Sequence, residues 1–152
     1  MTLIKSATET KRQSSSAPKV ANIKSIQLVD VDLSQGVTAA NDLIAAAILS
    51  IDCTLLGLTL IANGLPAGTT ATVGLLTGDV GDPEGMRELT APNTIASGLD
   101  VAANSVASVP LETCIAVPTS DVDRSVGIVL DTDVPLGNAS LTVFLEYAVT
   151  RQ

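Results

Sequence analysis

The sequence contains no histidine and no tryptophan, and its only aromatic residues are Phe144 and Tyr147. Histidine is the commonest acid–base catalyst near neutral pH and a frequent zinc ligand, so its absence excludes serine-protease-like and papain-like triads. Proteins that bind single-stranded nucleic acid stack bases on several aromatic side chains, and two aromatics three residues apart cannot supply such a platform. We therefore expect a protein that is not an enzyme, has no cofactor and does not bind nucleic acid.

Cysteines and long apolar runs are also scarce. Cys53 and Cys114 fit no zinc spacing and could form at most one disulfide, and the simplest interpretation is two small buried side chains. No uninterrupted apolar stretch reaches ~18 residues, and the N-terminal residues lack the apolar core of a secretory signal. Neither a GxGxxG nor a GxxxxGK[ST] motif is present. These absences predict cytoplasmic synthesis, no membrane partner and no small-molecule substrate.

The charges separate along the chain. Residues 1–24 hold five basic residues against one acidic residue, a net charge of +4, whereas residues 25–152 hold three against fifteen, a net charge of −12. An acidic domain repels nucleic acid and anionic membranes, whereas a basic segment is attracted to an acidic partner surface. We therefore expect the two parts of the chain to contact different partners.

Residues 1–24 are polar and almost without hydrophobic periodicity, which is typical of a segment that cannot fold alone. We interpret them as an extended basic N-terminal arm, followed by a single domain over residues 25–152. Fully extended, the arm would reach roughly 70–80 Å, far enough to touch a neighbouring subunit. A loose terminal tail without function is the alternative.

The strongest local pattern lies in Thr54 to Thr77. Leucines alternate with glycine and threonine on the way into the turn Asn63 to Gly68, and Val73 and Leu75 alternate on the way out. Asn-Gly supplies positive-φ positions and Pro66 cannot donate to a strand ladder. The stretch predicts a β-hairpin.

Further strands are predicted over 25–33, with a bulge or change of sheet near Leu28, over 99–109, 111–117 and 124–130, and over 141–150. Residues 42–51 fit a strand, with a short helix starting near Thr38 as the alternative. About eight strands and no clear helix predict an all-β fold, an antiparallel β-sandwich with jelly-roll connectivity. The alternating residues of 141–149 could also form a contact between subunits.

Acidic residues cluster in the Gly78 to Glu88 loop and in D-x-D pairs. Calcium binding is one interpretation, although no EF-hand spacing is present, and solvated loops and strand faces are the other. A carboxylate-dependent hydrolase would require loop acids to converge with Asp121 or Asp131 in a pocket. The loop acids are Asp79, Asp82, Glu84 and Glu88.

Three segments carry a family resemblance: LTLIANGLPAGTTATVGLL at 58–76, GLDVAANSVASVP at 98–110 and DRSVGIVLDTDVPLGNASLTVFLEYAV at 123–149. In this order they resemble the decoration or cement proteins of tailed phages, small proteins encoded beside the capsid gene. The resemblance extends over about 70% of the chain, from Asn41 to Val149.

The resemblance implies a non-catalytic jelly roll on the outer surface of the virion, a homotrimer that binds the major capsid protein and stabilises the shell by bridging its subunits. Charge then marks candidate capsid contacts in the arm: Lys5, Lys11, Arg12, Lys19 and Lys24. The alternatives are a tail, neck or head-fibre component, and a β-sandwich module that binds a glycan or calcium.

Overall fold

The computed structural model describes residues 2–5, 24–39 and 42–149, which form nine strands and one short helix. Two single 3-10 turns, Glu84–Met86 and Ala91–Asn93, lie between the fifth and sixth strands. The strands are β1 (Thr2–Lys5), β2 (Lys24–Asp32), β3 (Asp42–Leu49), β4 (Cys53–Asn63), β5 (Thr70–Leu75), β6 (Thr94–Asp100), β7 (Val106–Val109), β8 (Arg124–Leu130) and β9 (Ser140–Val149), and helix α1 is Leu111–Ile115.

The strands form two sheets that pack face to face. Sheet A has the order β1-β3-β8-β5-β6 and sheet B the order β2-β9-β4-β7. From β2 to β9 every connection crosses between the sheets except the one from β5 to β6. This is jelly-roll connectivity, so the predicted all-β sandwich is confirmed.

The core is aliphatic because the strands alternate inward apolar and outward polar residues. In β9, Leu141, Val143, Leu145 and Tyr147 are fully buried, while the intervening side chains face outward. β9 pairs with β2 on one side and β4 on the other. The inward apolar side chains of 141–149 are therefore core, and a contact between subunits through this strand, which stays a prediction, could use only its outward face.

The central hairpin prediction is also wrong. β4 and β5 have the expected alternation and glycines at positive φ, Gly64 at 73° and Gly68 at 78°, but they belong to opposite sheets. Leu65 in the connection is buried and bridges to Ala103, which closes that end of the sandwich. Alternation and turn residues indicate where the chain reverses, and they leave open whether it returns in the same sheet or the facing one.

The structure confirms one prediction about a single element and corrects two others. The strand interpretation of 42–51 is confirmed by β3, and its short-helix alternative is wrong. The bulge near Leu28 is wrong, because β2 pairs with β9 without interruption from Lys24 to Asp32. Residues 111–117 begin with helix α1 rather than a strand, following Pro110.

The N-terminal residues are described in part. β1 lies beside β3 in parallel register at the edge of sheet A, and β2 begins at Lys24. Residues 6–23, most of the predicted arm, lie outside the described residues. Among the described residues, no helix has the length and apolar character that crossing a membrane requires.

Candidate docking surface

The outer face of sheet B carries a band of apolar side chains, which we call the apolar stripe. Ile26 and Leu28 of β2 are 53% and 62% exposed, Ile61 of β4 is 39% exposed and Val106 of β7 is 66% exposed. Half-buried Phe144 of β9 joins the two ends of the band. In a soluble protein, exposed apolar side chains grouped on one surface mark a contact with a partner.

Strand register makes the stripe continuous. Leu28 lies opposite Phe144, which lies opposite Thr59 on the other side. Ile61 follows Thr59 on the same face of β4 and lies opposite Val106. Cβ atoms of directly opposite residues on one face are about 4.5–5.5 Å apart, and those of diagonal neighbours such as Phe144 and Ile61 about 7–8 Å, which an aromatic ring can reach. The stripe therefore crosses all four strands diagonally.

Polar residues border the stripe on both sides. At one end Lys24 Nζ lies 2.6 Å from Glu146 Oε2, with side-chain exposures of 54% and 26%. At the other, Thr142 Oγ1 donates to Asp30 Oδ1. An apolar centre with a polar border is the usual anatomy of a protein–protein interface.

The outer face of sheet A is covered by the chain itself. Leu76 and Leu89, from the segment that connects β5 to β6, pack with Leu43, Ala45 and other residues in a second apolar cluster on this face. The guanidinium of Arg87 is buried beneath the same segment, and its Nε donates to the carbonyl oxygen of Thr77 at 2.9 Å. We call residues 76–93 the cover of sheet A. The predicted surface loop, 78–88, lies within this segment, and its residues are exposed or half-buried except Arg87.

Paired glycines form the seat for this cover. Gly74 of β5 and Gly127 of β8 lie opposite each other in the sheet. A Cβ at Gly127 would lie 2.1 Å from Leu76 Cδ2, and one at Gly74 would lie 2.4 Å from both Leu89 Cδ1 and the carbonyl oxygen of Asn93. Only glycine at both positions leaves room for the covering leucines.

Comparison with solved structures finds this fold in phage capsids. A chain from the capsid of Ralstonia phage GP4 is similar over 99% of this chain and 100% of its own length, with a TM-score of 0.83 and 19% sequence identity. A chain of the cyanophage Pam1 capsid asymmetric unit matches with a TM-score of 0.56 and 18% identity, over 91% of this chain and 93% of its own. A chain from the acidic stable capsid of Helicobacter pylori bacteriophage KHP30 gives 0.52 and 13%, over 87% and 92%.

The protein shares its fold with these capsid chains. At such identities the likeness is one of backbone architecture, and it extends over nearly the whole chain in the first case. No protein-family model and no curated protein matches the sequence. The similarity is therefore one of fold and not of amino-acid sequence.

The two predicted basic contacts that the structure describes lie in different sheets. Lys24 lies in β2 beside the apolar stripe, where it pairs with Glu146. Lys5 ends β1, opposite Ala45 of β3. The remaining three predicted contacts, Lys11, Arg12 and Lys19, lie outside the described residues. Their role as capsid contacts stays a prediction.

The two cysteines are buried, and neither forms a disulfide. Cys53 begins β4 and Cys114 lies in α1. Burial is the main cause that raises the pKa of each thiol, which disfavours the reactive thiolate. The interpretation of both as small buried side chains is confirmed.

The acidic loop uses its carboxylates on its own chain. Asp82 accepts a hydrogen bond from the Asp79 N–H, and Glu84 accepts one from the Leu3 N–H. Asp131 directly follows β8 and lies beside the start of β5, where it accepts hydrogen bonds from the N–H and the hydroxyl of Thr70. Among the described residues, no group of three or more Cys, Asp or Glu side chains is arranged to hold a metal ion.

Among the open clefts in the described part of the chain, one borders α1 and another borders β1. The first, of about 470 Å³, lies between α1 and β6 and includes Arg124. The second, of about 670 Å³, lies beside β1 and includes Asp32, Asp42 and Asp133, each of which accepts a backbone N–H. The acids named for a hydrolase line neither cleft.

The sequence did contain a signal for the apolar stripe. Ile26 and Leu28 have the parity opposite to Val29 and Val31, which we interpreted as a bulge. Regular pairing with β9 instead leaves both side chains outside. Large apolar residues on both faces of one strand can thus indicate that its outer face binds a partner.

Proposed function

We propose that the protein is a structural component of a phage virion, a cement or decoration protein that binds the outside of the assembled capsid. The observation that carries the proposal is the apolar stripe on sheet B, on a fold shared with chains of three phage capsids. The stripe supplies a docking face, and the sandwich supplies a rigid body that holds it.

The partner surface follows from the chemistry of the stripe and its surroundings. Ile26, Leu28, Ile61 and Val106 require an apolar ridge to bury against. Because residues 25–152 carry a net charge of −12, from three basic against fifteen acidic residues, basic side chains around that ridge would favour the encounter. In this proposal the major capsid protein provides both features.

Stabilisation would come from mass action without catalysis. A protein that binds only the assembled shell lowers the free energy of that state relative to the separated subunits. Bridging adds to this effect when one copy contacts two capsid subunits. A homotrimer at a three-fold position would do so three times, with each stripe facing a different capsid subunit.

The basic arm would make a second, weaker contact. Lys5, Lys11, Arg12 and Lys19 are its cations outside β2, and each exposed ion pair would contribute about 0–1 kcal/mol. Such contacts are screened by salt with a Debye length of about 8 Å at physiological ionic strength. The arm therefore adds a salt-sensitive part to binding that the apolar stripe does not share.

Sedimentation with emptied capsids of the phage that encodes the protein tests the proposal. The wild-type protein should pellet with the capsids and saturate at a multiple of sixty copies. Leu28→Lys places a charge at the β2 end of the stripe, opposite Phe144, and should reduce the bound copies at least tenfold. Leu136→Lys is the matched control, because Leu136 is 76% exposed but lies in the loop between β8 and β9, outside the stripe.

The outcomes separate the proposal from its competitors. Equal binding by Leu28→Lys and wild type would remove the stripe from the interface. Binding of a few copies at one vertex would favour a tail, neck or head-fibre component. No pelleting of the wild type would refute capsid binding altogether.

Charge reversal tests the arm separately. The triple variant Lys11→Glu, Arg12→Glu and Lys19→Glu should bind more weakly at low salt and approach wild-type binding as salt rises. A parallel titration of Leu28→Lys should show a loss that salt does not repair. If the triple variant binds like wild type at low salt, the arm makes no electrostatic contact with the capsid.

A further inference from the structure

β3 of sheet A is built to accept a strand from outside the eight-stranded jelly roll. It is eight residues long and apolar apart from Asp42, and Leu43, Ile44 and Ala45 are buried with β1 in place. Without β1 it would be an edge strand with an open row of backbone donors and acceptors. Long apolar edge strands pair readily with other chains, so this edge requires a cover.

β1 meets that requirement on both of its faces. Its four residues pair in parallel with β3, from Thr2 opposite Asp42 to Lys5 opposite Ala45. Leu3 packs with the cluster on the outer face of sheet A, and Ile4 packs against the main core. The Leu3 N–H, on the side away from β3, donates to Glu84 Oε2 at 3.2 Å. The slot therefore recognises an extended segment with two successive apolar residues.

The chain between β1 and β2 is much longer than the path between them. Lys5 lies at the level of Ala45, and Lys24 pairs with Ala148 near the end at which β3 finishes. β2 faces β3 across the sandwich. With about 3.3 Å per residue along a strand and about 10 Å between sheets, the direct path is about 15–20 Å.

Residues 6–23 number 18 and could span about 59 Å. That is about three times the path within one copy, and it exceeds the ~40 Å diameter expected for a folded chain of 152 residues. The entropy cost of closing a loop rises only slowly with its length. A connector as long as residues 6–23 can therefore place β1 beside the β3 edge of a neighbouring copy nearly as easily as beside its own.

We propose that β1 is exchanged between copies: the Thr2–Lys5 strand of one copy occupies the β3 slot of a second copy, and the exchanged strands close a ring of subunits. The interaction surface is the β3 edge together with Glu84 and the outer cluster of sheet A. The occupant is the N-terminal strand of an identical chain. Strand exchange of this kind is a low-cost route to oligomers because it reuses contacts that each chain already makes.

Disulfide trapping in the full-length protein distinguishes exchange from self-occupation. Thr2 and Asp42 are register partners, so Thr2→Cys with Asp42→Cys places two thiols opposite each other. After mild oxidation and alkylation of remaining thiols, exchange should give covalent multimers on a non-reducing denaturing gel, with the largest band reporting the ring size. Closure within single chains would overturn the proposal.

Mixing the two single variants gives an independent readout. A Thr2→Cys copy and a differently tagged Asp42→Cys copy, refolded together, can form the 2–42 disulfide only across chains. Mass spectrometry of the linked peptides should identify it. Absence of this link, together with a monomeric mass by light scattering, would also overturn the proposal. Neither measurement uses capsids, so this inference can fail while capsid binding holds.

A shortened connector supplies the matched control. Deleting residues 8–19 leaves six residues between Lys5 and Lys24, which span about 20 Å. That length suffices for the path within one copy but not for a neighbour. In the double-cysteine background, the deletion should convert the covalent multimers into internally closed monomers. Multimers that survive the deletion unchanged would contradict exchange through this connector.

Discussion

The two outer faces of the sandwich solve the same problem differently. Both sheets carry apolar residues on the side away from the core. On sheet A they are covered by the chain's own segment between β5 and β6, seated on Gly74 and Gly127. On sheet B, Ile26 and Leu28 are left more than half exposed.

The difference assigns the faces to different tasks. Apolar area that is buried on folding stabilises the monomer by roughly 25 cal/mol per Å², whereas area left exposed contributes only when a partner covers it. The cover on sheet A is thus part of the fold, and the stripe on sheet B is available for association. Leucine truncations on the two faces should therefore have opposite consequences for stability and for binding.

The largest effect is expected from the cover. Leu76 is 5% exposed and packs over Gly127, so Leu76→Ala should lower the free energy of unfolding by about 2–3 kcal/mol. Urea denaturation followed by circular dichroism measures the change. A loss below about 0.5 kcal/mol would mean that the segment does not stabilise the folded state.

A second variant alters the seat rather than the cover. Gly74→Ala places a Cβ 2.4 Å from the carbonyl oxygen of Asn93, a backbone atom that cannot move without its chain. We expect a loss of about 1–3 kcal/mol in the same measurement. Gly137→Ala is the matched control, since a Cβ there has no atom within 4 Å, and it should stay within about 0.5 kcal/mol of wild type.

Two aspartates differ in what they connect. Hydrogen bonds lower the pKa of both, mainly that from the Thr70 N–H for Asp131 and that from the Ser34 N–H for Asp32. Asp131 joins residues 61 positions apart in sheet A, whereas Asp32 bonds two residues away at the end of β2. A lowered pKa stabilises the fold above the unfolded-state pKa of about 4, and this stability is lost as pH falls through the folded-state value.

Substitution separates the two aspartates. Asp131→Asn should lower the melting temperature at pH 7 and flatten its decline below pH 4, whereas Asp32→Asn should do so less, because its bond closes only a local turn. Differential scanning calorimetry from pH 2 to 7 provides the comparison. Equal melting curves for Asp131→Asn and wild type at all pH values would remove Asp131 from the stability of sheet A.

The sequence predicted the fold class because strand alternation is a local property. Residues such as Val143 and Leu145 alternate with outward side chains whichever strands become neighbours. Sheet membership was missed for β4 and β5, because the turn at Gly64 and Gly68 is compatible with a return in either sheet. Partnering across the sandwich depends on contacts between residues far apart in sequence.

The docking surface was missed for a related reason. The stripe combines residues from four strands, and only their register places Val106 beside Ile61. Charge can be counted without knowing the strand register, so the sequence predicted contacts only in the basic arm. The arm's five cations remain predicted contacts, while the apolar residues of β2, interpreted as evidence of irregular pairing, lie on a regular strand.

The smallest effect on stability is expected from the stripe itself. Leu28 is 62% exposed, so Leu28→Ala should change the free energy of unfolding by no more than about 0.5 kcal/mol, although the chemical change equals that of Leu76→Ala. The same urea measurement compares the two. A loss as large as that of Leu76→Ala would show that sheet B is covered after all. With stability unchanged, a loss of capsid binding by Leu28→Ala reports the missing contact alone, since the folded population is the same.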